Sequence, residues 1–353
     1  MTPKRLPLAV MLVVLAWSAA ARADSTDEYI ARAMKEFHLP GLALLVVRDG
    51  QVVKAAGYGF ADVERKIPVT PETVFKIGSV SKQLIATGIM LLVQDGRLTV
   101  DDPVSRFFPD APPSWAPMCV RHLLSHTAGL VRESPAFDPM KATSDADIVR
   151  ALYPLPLRFE PGSKWEYSNA GYYALADIIR IVSGRPWTEF IHARVFGPLG
   201  MNTTAPTNVR PRPSTMATGY AGTDNAGGPA PEWIALRPSG AFISTVLDLA
   251  KWDAALGGNT ILSEASRRQM WAPAPLNGNA TAPYGFGWHI GEFQDRRVIR
   301  HGGGLLGFSS FSMRFLDVPL SIVVLTNGDD VDPAGIAANV ALIQLRETTK
   351  GLN

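Results

Sequence analysis

Two strand-like blocks lie far apart in this chain, at residues 41–56 and 285–326, and most of what separates them reads as helix and loop. A strand leaves its backbone N–H and C=O groups unsatisfied until another strand lies beside it. The first block runs from Gly41 to Val47, turns at Asp49-Gly50 and returns over Gln51 to Ala56. Asp-Gly supplies the positive φ angles of a tight hairpin turn. A lone hairpin is marginal in water. The second block holds short runs at Gly285–Ile290, Arg297–Arg300, Phe308–Phe315 and Leu320–Thr326, closed by Asn327-Gly328-Asp329. The economical solution is one antiparallel sheet built from both chain ends.

Helical periodicity predicts helices over Thr26–Phe37, Ser79–Gln94, Val120–Leu124, Asp145–Tyr153, Asn169–Val182, Trp187–Val195 and Ala334–Arg346. Gly96 and Gly184 stand in stop positions. The expected class is therefore α+β: an antiparallel sheet flanked by helices, with a mainly helical subdomain against it. The α/β part is expected at about 24–83 and 240–353, the helical part at about 84–239, with a cleft where they meet. At 46% hydrophobic and 19% charged the chain has a globular composition.

Residues 1–23 are set apart from this fold. Lys4 and Arg5 precede an apolar run from Leu6 to Trp17, and Ala21-Arg22-Ala23 is a small-x-small cleavage site before Asp24. This is the pattern of a secretory signal peptide. The run is shorter than the ~20 residues of a membrane span, so no stable span is expected after cleavage. The expected location is periplasmic or secreted. Removing these residues takes away Lys4, Arg5 and Arg22 and no acid, leaving 31 basic against 32 acidic side chains. With no basic excess, nucleic acid is excluded as a natural partner. The single cysteine, Cys119, cannot close a disulfide within the chain.

Three segments carry chemistry. Ser79-Val80-Ser81-Lys82 opens a predicted helix, which puts Ser79 and Lys82 on one face about 5–6 Å apart at Cβ. A serine hydroxyl needs a neighbour to take its proton, and a lysine can do so when its pKa is lowered. Tyr167-Ser168-Asn169 offers a phenol and an amide that could serve the same lysine. His301-Gly302-Gly303-Gly304 follows a predicted strand, where glycines let a substrate backbone approach and expose N–H groups to an oxyanion. Each also has a plain structural reading: an exposed helix start, a loop with a helix cap, a glycine turn.

In this order the three resemble the serine β-lactamase and penicillin-binding-protein superfamily, in which Ser-x-x-Lys is a signature. The likeness is greatest to the class C β-lactamase-like branch of DD-peptidases, D-aminopeptidases and esterases. It extends through Thr73-Val-Phe-Lys-Ile-Gly-Ser-Val-Ser-Lys, Val120-Arg-His-Leu-Leu-Ser-His-Thr-Ala-Gly-Leu, Pro238-Ser-Gly-Ala-Phe-Ile-Ser-Thr-Val-Leu-Asp-Leu-Ala and Tyr284-Gly-Phe-Gly-Trp. The resemblance implies a β-lactamase/transpeptidase-like fold, acylation of Ser79, and an acid/base role shared by Lys82 and Tyr167. It also implies an oxyanion hole from the N–H groups of Ser79 and Gly304, and substrate contacts at Asn169, His301, Gly302 and Gly303. His301 stands where β-lactamases have Lys, and Gly302 where they have Thr or Ser.

No cofactor is implied, and no metal: His122 and His126 are four apart but lack a third ligand in a zinc pattern. Trp165, Trp288 and Tyr284 either line the cleft or pack in the core. The expected activity is hydrolysis of a small-molecule ester or of D-amino-acid amides or peptides through an acyl-enzyme. A β-lactamase or D-alanyl-D-alanine carboxypeptidase is the alternative. A silent peptidoglycan-binding protein is a further one, disfavoured by the presence of Ser79, Lys82 and Tyr167 together.

Overall fold

The computed structural model describes residues 25–222 and 228–350. The predicted signal peptide lies outside them. After helix α1 (Ser25–Glu36), strands β1 (Gly41–Arg48) and β2 (Gln51–Asp62) form the expected hairpin, with Asp49 and Gly50 at φ 52° and 73°. With β3 (Ile67–Pro68), β9 (His289–Phe293), β10 (Arg296–Leu305), β11 (Phe308–Phe315) and β12 (Leu320–Thr326) they make a seven-stranded sheet in the order β3-β2-β1-β12-β11-β10-β9. The joint between the two ends is β1 against β12, antiparallel, with Leu42 opposite Thr326 and Leu45 opposite Val323. The sheet is thus drawn from both ends of the chain, as expected.

β1 is buried on both faces, which is why it reads as an unbroken apolar run. Leu42, Leu44 and Val46 face one core with Ile322, Val324 and Ile30 of α1, and with Ile336 and Val340 of α10 (Pro333–Lys350). Ala43, Leu45 and Val47 face the other with Leu325 and the helical layer. That layer comprises α2 (Ser81–Gln94), α3 (Val120–Leu124), α4 (Asp145–Arg150), α5 (Ala170–Ser183), α6 (Trp187–Ile191), α7 (Gly197–Leu199), α8 (Val246–Gly257) and α9 (Glu264–Met270). α2 is buried from Ser81 to Leu92, all round its circumference, and is the central pillar. A small sheet of β4 (Phe75–Lys76), β6 (Phe242–Ser244) and β5 (Ala205–Pro206) holds the chain entering α2, and a ribbon of β7 (Ala274–Pro275) and β8 (Thr281–Ala282) lies at the periphery.

Several expectations change. Gly285–Trp288 is irregular and the strand begins at His289. The glycine run is not a turn after a strand but part of β10 itself. The helix expected to Tyr153 ends at Arg150, and the one expected over Trp187–Val195 passes from α6 into a π-turn at His192–Phe196. α8 and α9, each started by a side-chain cap from Thr245 and Ser263, were not anticipated.

Candidate active site

β9 pairs with β10 only as far as His289 opposite Arg300. Beyond that point the edge of β10 is taken by the turn that carries Ser79. Ile77 anchors this turn on both sides: its N–H donates to Phe242 O (3.0 Å), and its carbonyl accepts from Ser310 Oγ (2.8 Å). Gly78 then adopts φ +49°, with Gly304 N only 2.7 Å from where a Cβ would be. A single 3-10 turn, Gly78–Val80, delivers Ser79 to the start of α2, and Ser79 keeps partial exposure. Gly303 is equally constrained, since its Cβ would lie 2.2 Å from Ile77 O and 2.9 Å from Ser79 N. Its missing side chain admits the nucleophile turn rather than a substrate. Gly304, by contrast, faces open space.

Lys82 is wholly buried, and its Nζ donates to Ser79 Oγ (3.0 Å), Asn169 Oδ1 (2.9 Å) and Ser239 O (2.7 Å). The Asn169 amide is oriented by its other end, where Nδ2 donates to Glu133 Oε2 (3.2 Å). Two of the three partners of Lys82 are therefore pure acceptors, and only Ser79 has a proton to give. A neutral amine keeps its two N–H groups on Asn169 and Ser239 and turns its lone pair to Ser79. Burial holds the Lys82 pKa well below the ordinary lysine value, with the charges of Arg237 and Arg132 acting in the same direction. Tyr167 lies across Lys82, whose Nζ is 4.8 Å from the ring centroid. Burial pushes the phenol up to about 12, against the pull of its hydrogen bond with Ser79 and of Arg132. The arrangement holds a poised proton acceptor and a retained proton donor around one hydroxyl.

His301 is placed otherwise than a substrate-binding cation would be. It is 2% exposed, with Nδ1 2.7 Å from Gly302 O and Nε2 2.8 Å from the Tyr284 hydroxyl. A carbonyl only accepts, so Nδ1 carries the hydrogen and Tyr284 donates to Nε2. Burial, then Lys82 and His289, keep the ring far below the ordinary histidine pKa, and it is neutral. Asn169 is likewise buried and committed to Lys82 and Glu133. Gly302 has room for a side chain, the nearest atom to its Cβ position being Phe311 Cδ2 at 3.6 Å. Tyr284 is fully buried and backs the site beside His301 and Tyr167, Trp288 is fully buried in the core, and Trp165 is half-buried beside Tyr284 and His289.

The histidine pair at 122 and 126 divides its duties. His122 Nδ1 accepts from Cys119 N–H (3.0 Å) at the start of α3, whereas His126, at φ 61°, packs 4.3 Å from the Tyr167 ring and accepts from Ser168 N–H (3.2 Å). Among the described residues no group of three or more His, Cys, Asp or Glu is placed to hold a metal ion. The Ser239 carbonyl and the charges of Glu133, Arg132 and Arg237 escaped sequence reasoning. A backbone carbonyl leaves no trace in residue identity, and the three charges follow no local spacing rule.

Comparison with known proteins bears on the family and the fold. The chain is 32% identical over 308 residues to penicillin-binding protein 4* of Bacillus subtilis, covering 81% of this chain and 68% of that protein. Its fold matches an octameric penicillin-binding protein homologue from Pyrococcus abyssi (TM-score 0.79, 28% identity, 91% of this chain and 76% of the other). It also matches the D-amino acid amidase of Ochrobactrum anthropi SV3 complexed with L-phenylalanine amide (TM-score 0.76, 29% identity, 92% and 96%). The Beta-lactamase family model aligns with residues 26–345, nearly all that the structure describes. With sequence and fold in agreement, this chain belongs to the Beta-lactamase family and is one of its serine hydrolases.

Proposed function

We propose that the protein hydrolyses esters or D-amino-acid amides through an acyl-enzyme on Ser79. The observation that carries this is the lysine amine 3.0 Å from Ser79 Oγ, with its other two contacts both acceptors. Ser79 Oγ attacks the carbonyl carbon while its proton passes to Lys82. The developing oxyanion faces the N–H groups of Ser79 and Gly304, on the open side of β10. The scissile C–O or C–N bond then breaks, and the Tyr167 hydroxyl protonates the leaving group and recovers a proton from Lys82. Water releases the acyl group by the reverse proton route. Export to the periplasm or medium belongs to the same proposal and rests on residues 1–23.

The leaving-group side favours uncharged substrates. β-Lactams and D-alanyl-D-alanine peptides bear a carboxylate there, but His301 is neutral and fully engaged and Gly302 has no hydroxyl. The decisive experiment is labelling with a fluorescent fluorophosphonate. The wild type should label at Ser79. The folded Ser79→Ala protein should not label, and its turnover should fall by several orders of magnitude. Substantial turnover by folded Ser79→Ala would overturn the assignment.

A further inference from the structure

A narrow pocket adjoins the Ser79 site at the far end of the glycine strand. It is lined by Lys76, Thr207, Trp233, Arg237, Gly240 and Leu305, and its free volume is about 10 Å³, room for the tip of a chain rather than its body. Gly240 follows the residue whose carbonyl holds Lys82, and Leu305 follows Gly304. Lys76 stands three residues before the nucleophile, fixed on β4 by its pairing with Ile243.

Among the described residues the Lys76 ammonium has no hydrogen bond or ion pair. Its one noted contact is the Phe308 ring, 5.4 Å away. Its cationic neighbours are all spoken for. Arg237 is paired with Glu133, and Arg210 and Arg212 share Glu232. Burial, then Arg212 and Arg210, lower the Lys76 pKa to about 8, so it remains largely charged at neutral pH. A half-buried ammonium without a counter-ion is costly, and an arriving carboxylate offsets that cost.

The direction of a bound substrate follows from the acyl-enzyme reading, on which this inference rests. Tyr167 protonates the leaving group, and its ring lies by His289 and His301, at the start of the glycine run. The leaving group therefore occupies the His301 end, and the acyl group extends past Gly304 toward Leu305. We infer that this pocket is an acyl-side subsite for a carboxylate, with Lys76 as its cation, so that acyl groups ending in an acid are preferred. The preference is opposite to that proposed for the leaving-group side, where His301 is neutral and Gly302 has no hydroxyl.

The test compares kcat/KM for p-nitrophenyl half-esters of glutaric and adipic acid with p-nitrophenyl butyrate and hexanoate, after subtracting spontaneous hydrolysis. The wild type should favour an acidic ester by about ten- to a hundredfold, the range of one hydrogen bond to a charged group. Lys76→Met should bring that ratio down at least tenfold. Lys76→Glu should favour p-nitrophenyl 6-aminohexanoate instead, which also shows that the variant is folded. Equal rates for acidic and neutral esters in the wild type, or a preference that survives both substitutions, would overturn the inference. Failure of Ser79 to label with fluorophosphonate would instead overturn the acyl-enzyme reading beneath it.

Discussion

On the proposed acyl-enzyme route an amine takes a proton from Ser79 only while it is unprotonated, so the expected pH dependence is set by Lys82. Its pKa is lowered, chiefly by burial, and the neutral, active form grows as pH rises through that lowered value. Tyr167, pushed up to about 12, stays protonated over the same range. The expected kcat/KM profile for p-nitrophenyl butyrate is a single ascending limb from acid to mildly alkaline pH as Lys82 gives up its proton. A rate greatest in acid would point to a carboxylate base instead. Lys82→Arg should be inactive across the profile, because a guanidinium does not deprotonate. Gly302 bears on substrate choice: a threonine fits beside Phe311 and returns a hydroxyl to the leaving-group side. Gly302→Thr should raise the ratio of kcat/KM for a chromogenic cephalosporin over p-nitrophenyl butyrate by about tenfold or more. An unchanged ratio in a folded variant would show that the carboxylate is not held from this position.

The element on which the site turns is the junction of β4, the Gly78–Val80 turn and α2. Gly78 sits at φ +49° with Gly304 N against its Cβ position, so Gly78→Ala meets both backbone strain and a clash. The expected result is a loss of about 1–3 kcal/mol in urea unfolding, together with a drop in kcat as the turn moves off β10. Full stability would mean that the turn relaxes freely. Elements whose local chemistry is self-sufficient were legible in the sequence: the Asp49-Gly50 hairpin, α3 over Val120–Leu124, and the stop of α5 at Gly184, which is left-handed at φ 72°. That Ser79, Lys82 and Tyr167 come together was legible too, because their spacing carries the resemblance. Elements decided by tertiary contact were not. Gly285–Trp288 alternates like a strand, yet Gly287 is left-handed and lies against the Lys82 carbonyl, 2.8 Å from its Cβ position. The glycine run looked like a turn because glycine is a poor strand former, and only packing against Ser79 and Ser310 explains its place inside β10. The commitment of His301 to Tyr284 depends on a partner from outside its strand, which no periodicity reveals.

For the molecule as a whole, two buried histidines and the half-buried His289 weaken the fold in acid. His126, His289 and His301 all have lowered pKa values, chiefly through burial, that of His289 to about 4. In the unfolded chain each returns to about 6.5, so below that pH the unfolded state binds protons that the folded state refuses. Stability is then lost as pH falls from about 6.5 toward 4, by up to about 1.4 kcal/mol per pH unit for each such histidine. Urea midpoints at pH 7.5, 6 and 5 should decline accordingly, and His289→Gln should decline less steeply. A flat series would mean that other groups titrate in compensation. The joint between β1 and β12 has a consequence in time. Leu42 meets Thr326 across the centre of the sheet, and Ser79 meets Gly303 at its edge. A nascent chain therefore displays its nucleophile long before the strands that complete the site leave the ribosome. Until β10 and β11 arrive, the turn that carries Ser79 lacks the Gly303 backbone packed against it and the Ser310 hydroxyl that holds Ile77. On the proposed acyl-enzyme route, the last strands to leave the ribosome are the ones that close the oxyanion side of the site.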